Sequence, residues 1–597
     1  MTTGEHMEQS FLFHRPKSEY AYAYDQEHLH LLLRTKRNDL SSVFLRYGDP
    51  FEWTTSTDKS LWVYHEEEMH VRYQTQDYDY YFIQVQPQTK RLQYAFMLYD
   101  KDNVYAFTPR GVISDLEKMR DMPYFKFPYL HESDLHETPE WVKDRIWYQI
   151  FVDRFSPDHD HTFLAPDHPV QNAKHYGGTL KGITHHLDHL KDLGINGIYL
   201  TPIFLSPTAH KYDTTDYFQI DPHFGTKEDL IELVKKAHNF DIKVILDGVF
   251  NHAGFFHPFF QDVIKHEQES RYHDCFYIKR YPVVNFPLNG FGKPINYRGI
   301  SLNYETFSFQ PSMPKWRTSN PIVQNYLLDV VSYWIKETDI DGWRLDVSNE
   351  LSHDFLRQIK KRTRSVKPDS VIIGENWDES LPWLMGDQLD SVMNYELSFV
   401  IWDFISNQIS PEKFIEIVTH QYIKTPKSVL ENLFNHIGCH DTMRIKTRCL
   451  NNIDLVKIAY LIMFLSPGTP MIYYGDEIGL EGEHDPDNRR LFPWDQATWD
   501  IDFHAFIKRL ITLRKQDNEL FNSECQLTYQ DNVLIMTKHI NNRKLMAIIN
   551  PHDRDQMIAT KSIEGSYRDI IHDQMIDIHD TIKMKGQSFH LLFKEDL

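Results

Sequence analysis

Four carboxylates in this chain each stand where an apolar, strand-like segment ends. They are Asp247 in KVILDGVFNH, Asp346 in DGWRLDVSNE, Glu375 in VIIGENW and Asp441 in HIGCHDT. Acids at the ends of successive parallel strands converge on one point when the strands wrap into a barrel. Cleavage of a glycosidic bond requires such a pocket, because one carboxyl group donates a proton while another attacks or activates water.

Asp346 and Glu375 follow two consecutive strand-like segments, so we expect them to face each other at the mouth of such a barrel. Arg344 precedes Asp346 by two positions and therefore points to the same side of the strand. Its charge should favour the ionised carboxylate and lower the pKa of Asp346. Asp441 would add negative charge close to a cationic transition state.

Each residue also has a simpler explanation when it is taken alone. A single Asp after a strand is more often a helix N-cap or turn residue than a catalyst. An isolated Arg344 more often forms a structural ion pair, and His252 or His440 more often sits satisfied in a core than holds a sugar hydroxyl. The joint pattern of four strand-end acids, with Arg344 and His440 beside two of them, favours the catalytic interpretation.

The elements that would position these acids follow from the hydrophobic rhythm. From Trp147 onward, short apolar runs alternate with helical patterns, and eight strand–helix units predict a closed parallel barrel. The predicted strands are IWYQIFV, INGIYLTPIF, KVILDGVF, IDGWRLDV, SVIIGE, DSVMNYE, NLFNHIGCHD and MIYYGDE. Gly194 should end the helix LKGITHHLDHLKDLG, and Thr226 should cap the helix TKEDLIELVKKAHNF.

The predicted fold class is α/β, with a (β/α)8 TIM barrel and three further parts. Residues 1–130 are short strands between turn signals and predict an N-terminal β-sandwich. Residues 131–253 and 311–519 form the predicted barrel, and 254–310, rich in aromatics, Pro and Gly, form an inserted domain after its third strand. Residues 520–597 return to short strands and predict a C-terminal all-β domain.

Bulk composition excludes several function classes. The chain has 597 residues and a net charge of −21, which argues against nucleic acid as a main partner. Its four widely spaced cysteines indicate neither a disulfide framework nor a zinc site. The N-terminal segment lacks the apolar core of a signal peptide, and no apolar run approaches the roughly 20 residues of a membrane span. We therefore expect a soluble cytoplasmic protein with no membrane partner.

The motifs around the acids resemble the conserved regions of the α-amylase family, glycoside hydrolase family 13. The matching segments are DGVFNH (247–252), GWRLDVSNE (342–350), GENW (374–377) and HIGCHD (436–441). The resemblance implies that Asp346 is the nucleophile, Glu375 the general acid/base and Asp441 the transition-state stabiliser. It also implies that the sugar at the cleavage point contacts Tyr212, His252, Arg344 and His440, and that Asp247 has a structural part.

The N-terminal segments FHRP, LRT and YGDP resemble the starch-binding-type domain of the neopullulanase, cyclomaltodextrinase and maltogenic amylase group. DPDNRR (485–490) resembles a loop in which an Asp and an Arg, here Asp485 and Arg489, bind the sugar on the non-reducing side. Trp377 would line an acceptor subsite, although a Trp after a strand is often plain packing. The same resemblance implies a homodimer through the N-terminal domain and an α-glucan oligosaccharide as substrate.

Some positions depart from the family pattern. Many members bind calcium near the start of the barrel, but here the loop reads SPDHDHTFLAPDH and Thr179 stands where an Asp is usual. We therefore expect no cofactor; Asp158 and Asp160 leave calcium as an open alternative, although solvated loop acids explain them as well. Asp378 replaces a commoner His, and MPK (313–315) continues with Trp-Arg, which leaves linkage preference undetermined.

The resulting hypothesis is a retaining α-glucan hydrolase acting on cyclodextrins and maltooligosaccharides, with pullulan as a further candidate substrate and transglycosylation as a candidate side reaction. The alternatives are an oligosaccharide α-glucosidase or α-1,6-glucosidase of the same family, and a non-catalytic carbohydrate-binding barrel. The last alternative has least support, because all three catalytic acids are present.

Overall fold

A computed structural model describes residues 7–56, 59–101, 103–116, 123–158, 170–172, 174–560 and 563–595. Its contacts divide the chain into two compact units. The first comprises Met1–Glu137 and Glu412–Leu430, and the second comprises Thr138–Pro411 and Glu431–Leu597. No helix of the described residues is long and apolar enough to cross a membrane.

The first unit is built mainly from antiparallel strands, as the sequence predicted. They are β1 (Ala21–Ala23), β2 (Leu29–Lys36), β3 (Ser42–Gly48), β4 (Trp53–Ser56), β5 (Lys59–Trp62), β6 (His65–Gln74), β7 (Tyr78–Val85), β8 (Leu92–Asp100), β9 (Asn103–Thr108), β10 (Gly111–Ile113) and β11 (Phe125–Phe127). The main sheet runs β1-β2-β7-β6-β3-β8-β9-β10, with β11 on β8. Alternate residues of the strands, such as Leu31, Leu45, Tyr81 and Phe96, form one core, which makes this part a β-sandwich.

The second unit contains the predicted barrel. Its eight strands are β12 (Trp147–Ile150), β13 (Gly197–Leu200), β16 (Lys243–Gly248), β17 (Gly342–Leu345), β18 (Val371–Gly374), β19 (Ser391–Val392), β20 (Phe434–Asn435) and β21 (Thr469–Tyr473). Each strand is parallel to its neighbours in chain order, and β12 pairs with β21. A parallel bridge between Met393 and Phe434 joins β19 to β20 and closes the ring. The prediction of an eight-stranded barrel is confirmed.

The described residues form fourteen α-helices, of which α10 and nearly all of α9 fall in the first unit and the other twelve in the second. They are α1 (Val152–Phe155), α2 (Leu180–His185), α3 (Leu187–Leu193), α4 (Lys227–Asn239), α5 (Pro258–His266), α6 (Pro321–Thr338), α7 (His353–Val366), α8 (Tyr395–Ile405), α9 (Pro411–Lys424), α10 (Lys427–Leu430), α11 (Ile445–Arg448), α12 (Ile453–Leu465), α13 (Ile501–Gln516) and α14 (Asn518–Asn522). Thr226 caps α4 in a capping box with Asp229. The first predicted barrel helix is interrupted at His186, and Gly194 ends it at φ 98°.

Three further parts complete the second unit. Between β16 and α6 the chain leaves the barrel as a largely irregular excursion that contains α5. A short antiparallel pair, β14 (Phe204–Leu205) and β15 (Asp216–Ile220), lies between β13 and α4. The C-terminal strands are β22 (Gln526–Gln530), β23 (Val533–Ile540), β24 (Arg543–Asn550), β25 (Gln556–Ala559), β26 (Gly565–Asp569), β27 (Gln574–Ile578), β28 (Thr581–Met584) and β29 (Ser588–Glu595). They form sheets β22-β23-β24-β29-β26-β27 and β25-β28, which confirms the all-β prediction.

Candidate active site

The four acids lie at the carboxyl ends of barrel strands or in the loops beyond them. Asp247 is within β16, Asp346 directly follows β17, and Glu375 directly follows β18. Asp441 lies further along, in the loop after β20. The carboxyl ends of parallel barrel strands open on one face, so side chains from different strands meet there.

Arg344, the penultimate residue of β17, is the hub that joins three of these acids. Its Nη1 lies 2.8 Å from Asp247 Oδ2 and 3.0 Å from Asp346 Oδ1, and its Nη2 lies 2.8 Å from Glu375 Oε2. The guanidinium is fully buried. Two terminal nitrogens of a rigid planar cation therefore fix the relative positions of three carboxylates.

Glu375 receives donors on both carboxylate oxygens. The backbone N–H of Val347 donates to Oε2 at 2.9 Å, and the Trp377 indole Nε1–H donates to Oε1 at 2.9 Å. Val347 has φ 45° and ψ 47°, a left-handed conformation that a β-branched residue rarely adopts. This backbone turn directs the amide toward the carboxylate, and strain of this kind is typical of functional sites.

Asp247 is buried and holds the neighbouring side chains of the site in place. Its Oδ2 accepts hydrogen bonds from Tyr199 Oη at 2.5 Å and Tyr212 Oη at 3.0 Å, as well as from Arg344. Burial raises the pKa of Asp247 to about 6, although the Arg344 charge opposes that shift.

Tyr212 and the two histidines form the wall beside the acids. Tyr212 stacks on His440 with ring centroids 5.4 Å apart and an interplanar angle of 6°, and its hydroxyl also hydrogen-bonds His440 Nε2. Gln149 of β12 donates to His440 Nδ1 at 2.7 Å, and His252 Nε2 donates to the Tyr212 carbonyl at 3.0 Å. Burial lowers the pKa of His252 to about 3 and that of His440 well below its usual value, so both rings are neutral.

Asp441 is the most accessible of the four acids, with 30% of its side chain exposed. Arg489 Nη2 lies 3.3 Å from Asp441 Oδ1, while Arg489 Nη1 lies 3.2 Å from Asp485 Oδ2. Arg489 also donates from Nε to the His440 carbonyl at 2.9 Å. The structure thus connects the DPDNRR loop to the acid cluster through one nearly buried arginine.

The net electrostatics at Asp346 differ from the sequence expectation. Arg344 does lower the pKa of Asp346, but burial and the neighbouring charges of Glu375 and Asp247 outweigh it. The pKa of Asp346 is therefore raised well above its ordinary value in the substrate-free site. The sequence predicts a lowered pKa because Arg344 stands two residues before Asp346. It does not show that Asp346 is only 6% exposed, and this burial disfavours the charged form.

The structure also bears on metal binding. Thr179 is the N-cap of α2, where its Oγ1 accepts from Gly182 N at 2.9 Å. Asp158 lies 3.7 Å from His185 Nδ1, whereas Asp160 lies outside the described residues. Within the described part of the chain, two groups have the composition of metal ligands: Cys439, His440 and Asp441, and Asp569, His572 and His590. In the first, both His440 nitrogens already have hydrogen-bond partners.

Sequence reasoning missed three residues of the site: Tyr199, Gln149 and Val347. Tyr199 and Gln149 lie inside strands β13 and β12, are fully buried, and point into the site. The available signal was a polar group inside an apolar strand, which needs a partner when buried. Val347 carried no signal, because its contribution comes from its backbone conformation.

Comparison with known proteins gives a consistent result. Residues 149–550 match the model of the alpha amylase catalytic domain, and residues 7–131 match that of the alpha amylase N-terminal ig-like domain. The chain is 40% identical over 597 residues to a maltogenic alpha-amylase of Bacillus acidopullulyticus, covering 97% of this chain and 99% of the relative.

Two further similarities extend over nearly the whole length. An intracellular maltogenic amylase of Bacillus subtilis is 38% identical over 604 residues, covering 98% of this chain and 99% of that one. The solved structure of a cyclomaltodextrinase superposes with a TM-score of 0.87 at 34% identity, covering 98% of this chain and 100% of that one.

Proposed function

The chain belongs to the alpha-amylase family and is a glycoside hydrolase, and from this premise we propose that it hydrolyses α-glucosidic bonds with retention of the anomeric configuration. The proposed substrates are cyclodextrins and maltooligosaccharides, with pullulan and transglycosylation as secondary activities. The observation that carries the proposal is the cluster around Arg344. One guanidinium holds Asp346 and Glu375 on its two terminal nitrogens, at 3.0 and 2.8 Å.

This geometry suits a two-step displacement. Retaining glycosidases use two carboxyl groups roughly 5–5.5 Å apart, whereas inverting enzymes need a wider gap to admit water. Contact of both acids with one guanidinium favours the close arrangement. In the first step Asp346 attacks the anomeric carbon while Glu375 gives its proton to the departing glycosidic oxygen.

In the second step Glu375, now ionised, takes a proton from water. The resulting hydroxide displaces Asp346 and releases the α-anomer. Asp441, partly exposed and bound to Arg489, would stabilise the positive charge that develops on the sugar. The neutral, buried His252 and His440, together with Tyr212, would form the wall of the subsite at the cleavage point.

The decisive experiment compares Asp346→Asn and Glu375→Gln with the parent enzyme on maltotriose and β-cyclodextrin. We expect each substitution to reduce kcat by at least about 10³-fold, because each removes a group that exchanges a bond or a proton in the reaction. Near-normal turnover by the Glu375→Gln enzyme would refute the acid/base assignment. An initial β-anomer in the product, observed by NMR, would refute Asp346 as the nucleophile.

The cellular location and assembly are also part of the proposal. An intracellular location is supported by the relative described as an intracellular maltogenic amylase. We further propose a homodimer formed through the N-terminal β-sandwich, supported by the likeness of residues 7–131 to the N-terminal domain of this family. Turnover is proposed to need no metal ion, because Thr179, which stands where the family resemblance implies a calcium-binding Asp, caps α2 with its side chain.

A further inference from the structure

We propose that Trp377 is a positioning residue for proton transfer: its indole N–H holds the substrate-facing oxygen of Glu375 and is displaced when the leaving-group sugar arrives. This inference rests on the proposed acid/base role of Glu375 and goes beyond treating Trp377 as an aromatic wall of the acceptor side. Three features of the described residues support it. The two oxygens of Glu375 have different donors, the Trp377 ring stacks on a buried side chain, and the rest of that ring is exposed.

The two oxygens of Glu375 have different kinds of partner. Oε2 faces two fixed donors, the buried Arg344 guanidinium at 2.8 Å and the Val347 backbone N–H at 2.9 Å. Oε1 accepts from the Trp377 indole N–H at 2.9 Å. Since an oxygen held by a cation and an amide is poorly suited to carry a proton, the transferred proton belongs on Oε1.

The Trp377 ring is supported on one face and accessible elsewhere. It stacks on Tyr395 with centroids 4.1 Å apart and an interplanar angle of 14°. Tyr395 is buried, with its hydroxyl 3.4 Å from Cys439 Sγ, so the platform under the indole is fixed. Trp377 itself is 38% exposed, which leaves its edge open to an arriving sugar.

The Trp377 N–H therefore acts differently in the two steps of the reaction, cleavage of the glycosidic bond and hydrolysis of the covalent intermediate. An indole N–H stabilises the ionised carboxylate more than the acid, because a protonated Oε1 is a weaker acceptor and the indole cannot accept its proton. Bond cleavage requires protonated Oε1: the proton moves to the glycosidic oxygen, the C–O bond breaks with its electron pair going to that oxygen, and Asp346 bonds the anomeric carbon. Trp377 can then donate to the ionised Oε1 until water delivers the next proton.

The charged and titratable groups that face Glu375 must be considered with it. They are Asp247, Arg344, Asp346, Tyr395, Cys439 and His440. Among them, Tyr395 stacks directly on Trp377, and Trp377→Phe keeps an aromatic ring there. A change in the pH dependence of the variant therefore reports the lost N–H.

The test is the pH profile of kcat/KM for maltotriose with the Trp377→Phe enzyme, which keeps an aromatic ring on Tyr395 but lacks the N–H. The N–H donor favours an ionised carboxylate, so its loss should move the alkaline limb upward by about 0.5 to 1 pH unit. Phe399→Leu is the matched control, because Phe399 lies 6.1 Å from the Trp377 ring and its side chain has no hydrogen-bond donor for Glu375. Its alkaline limb should coincide with that of the parent.

A second variant, Trp377→Leu, removes the N–H and the ring together and should show the same displacement of the limb with a larger fall in kcat/KM. If the limb stays in place in both variants while kcat/KM falls evenly at all pH values, Trp377 is only a wall and the inference is wrong. An equal displacement in Phe399→Leu would also overturn it. A Glu375→Gln enzyme that keeps its turnover would refute the proposed function instead, whatever Trp377 does.

Discussion

A single buried guanidinium, that of Arg344, holds three carboxylates in place. Removing a charge from the centre of such a cluster leaves buried acids without compensation, which is the costly way to break an ion pair. Arg344 contacts Asp346 through Nη1 and Glu375 through Nη2, and only a planar guanidinium with two terminal nitrogens can make both contacts together. Shape as well as charge is therefore required at this position.

We predict that Arg344→Lys, although it keeps the positive charge, lowers kcat/KM for maltotriose by on the order of 10²–10³-fold. One ammonium group cannot reproduce the contacts with Asp247, Asp346 and Glu375 at once. Arg362→Lys is the control, since Arg362 forms an exposed ion pair with Asp329 at 3.3 Å and should tolerate the change. If kcat/KM of the Arg344→Lys enzyme lies within tenfold of the parent value, the planar guanidinium does not have the proposed role.

The site residues that could be predicted from the sequence were those whose position in a strand fixes the direction of the side chain. Arg344 and Asp346 had to point the same way because side chains on a strand alternate in direction. The upward shift in the pKa of Asp346 could not be predicted, because it arises from burial by strands that are distant in sequence. The same limit applies to Tyr199, whose partner Asp247 lies on the neighbouring strand.

The turn after β17 links two barrel strands as a unit. Val347 takes a left-handed conformation, and the following Ser348 donates from both its backbone N and its Oγ to the Glu375 carbonyl, at 3.2 and 3.1 Å. Glu375 is thereby held through its side chain and its main chain. The ordinary cost of a left-handed conformation for an L-residue is about 1–2 kcal/mol, which the turn must offset through these contacts.

We predict that Val347→Gly hardly changes the melting temperature but lowers kcat/KM three- to tenfold. Glycine removes the steric cost of φ 45°, which compensates for the lost half-buried side chain, while the looser turn directs its amide less firmly at Glu375. Val284→Gly, at a half-buried valine with ordinary negative φ, should lower the melting temperature more. Equal losses of stability at the two positions would show that Val347 is not strained.

Strand β23 carries a buried lysine that should make stability depend on pH. Lys538 is 1% exposed, and its Nζ donates to the Phe521 carbonyl at 2.8 Å and to the Ser523 carbonyl. Burial lowers the pKa of Lys538 to about 7. Between that value and the unfolded value the unfolded chain binds more protons, so the contribution of Lys538 to stability falls as pH drops through this window.

The predicted outcome is that the parent gains up to about 1.4 kcal/mol of unfolding free energy per pH unit from this residue between roughly pH 7 and 10. Lys538→Met should remove that slope, as measured by denaturant unfolding at several pH values. Lys544→Met on the adjacent strand β24 is the control, because Lys544 is only half-buried. An unchanged slope in the Lys538→Met protein would show that the buried amine is not deprotonated in this range.

At the scale of the whole molecule, the order of the barrel strands followed directly from the alternation of apolar runs and helices. The irregular path between β16 and α6 did not, because a segment without periodicity gives no pairing signal. The grouping of Glu412–Leu430 with the N-terminal β-sandwich was also unpredictable. Our sequence boundaries placed this segment within 311–519, since a helix carries no mark of the surface against which it packs.

If the chain forms the proposed homodimer, it should sediment at micromolar concentration with about twice the mass of one chain, which is 71.2 kDa. A chain starting at residue 131 should sediment as a monomer if the sandwich forms the interface. A full-length protein that remains monomeric at this concentration would contradict the proposed dimer.

Metal removal provides a separate whole-molecule prediction. Prolonged dialysis against EDTA should leave kcat/KM for maltotriose and the melting temperature unchanged, because the Thr179 side chain is engaged as the N-cap of α2 and a hydroxyl is a weaker calcium ligand than a carboxylate. Addition of calcium after dialysis is the control. A loss of either property that calcium restores would contradict the proposal.

The grouping of Glu412–Leu430 with the first unit has a consequence for biosynthesis. In that unit the backbone N–H of Lys427 donates to the Tyr22 hydroxyl at 3.0 Å, and Ile423 joins a cluster with Tyr20, Leu32 and Tyr80. The ribosome must therefore translate residues 138–411 before the partners of the N-terminal strands exist. At about 5–20 residues per second this delay is on the order of tens of seconds. During that interval the nascent sandwich exposes Leu32 and Tyr80, a surface on which holdase chaperones can act.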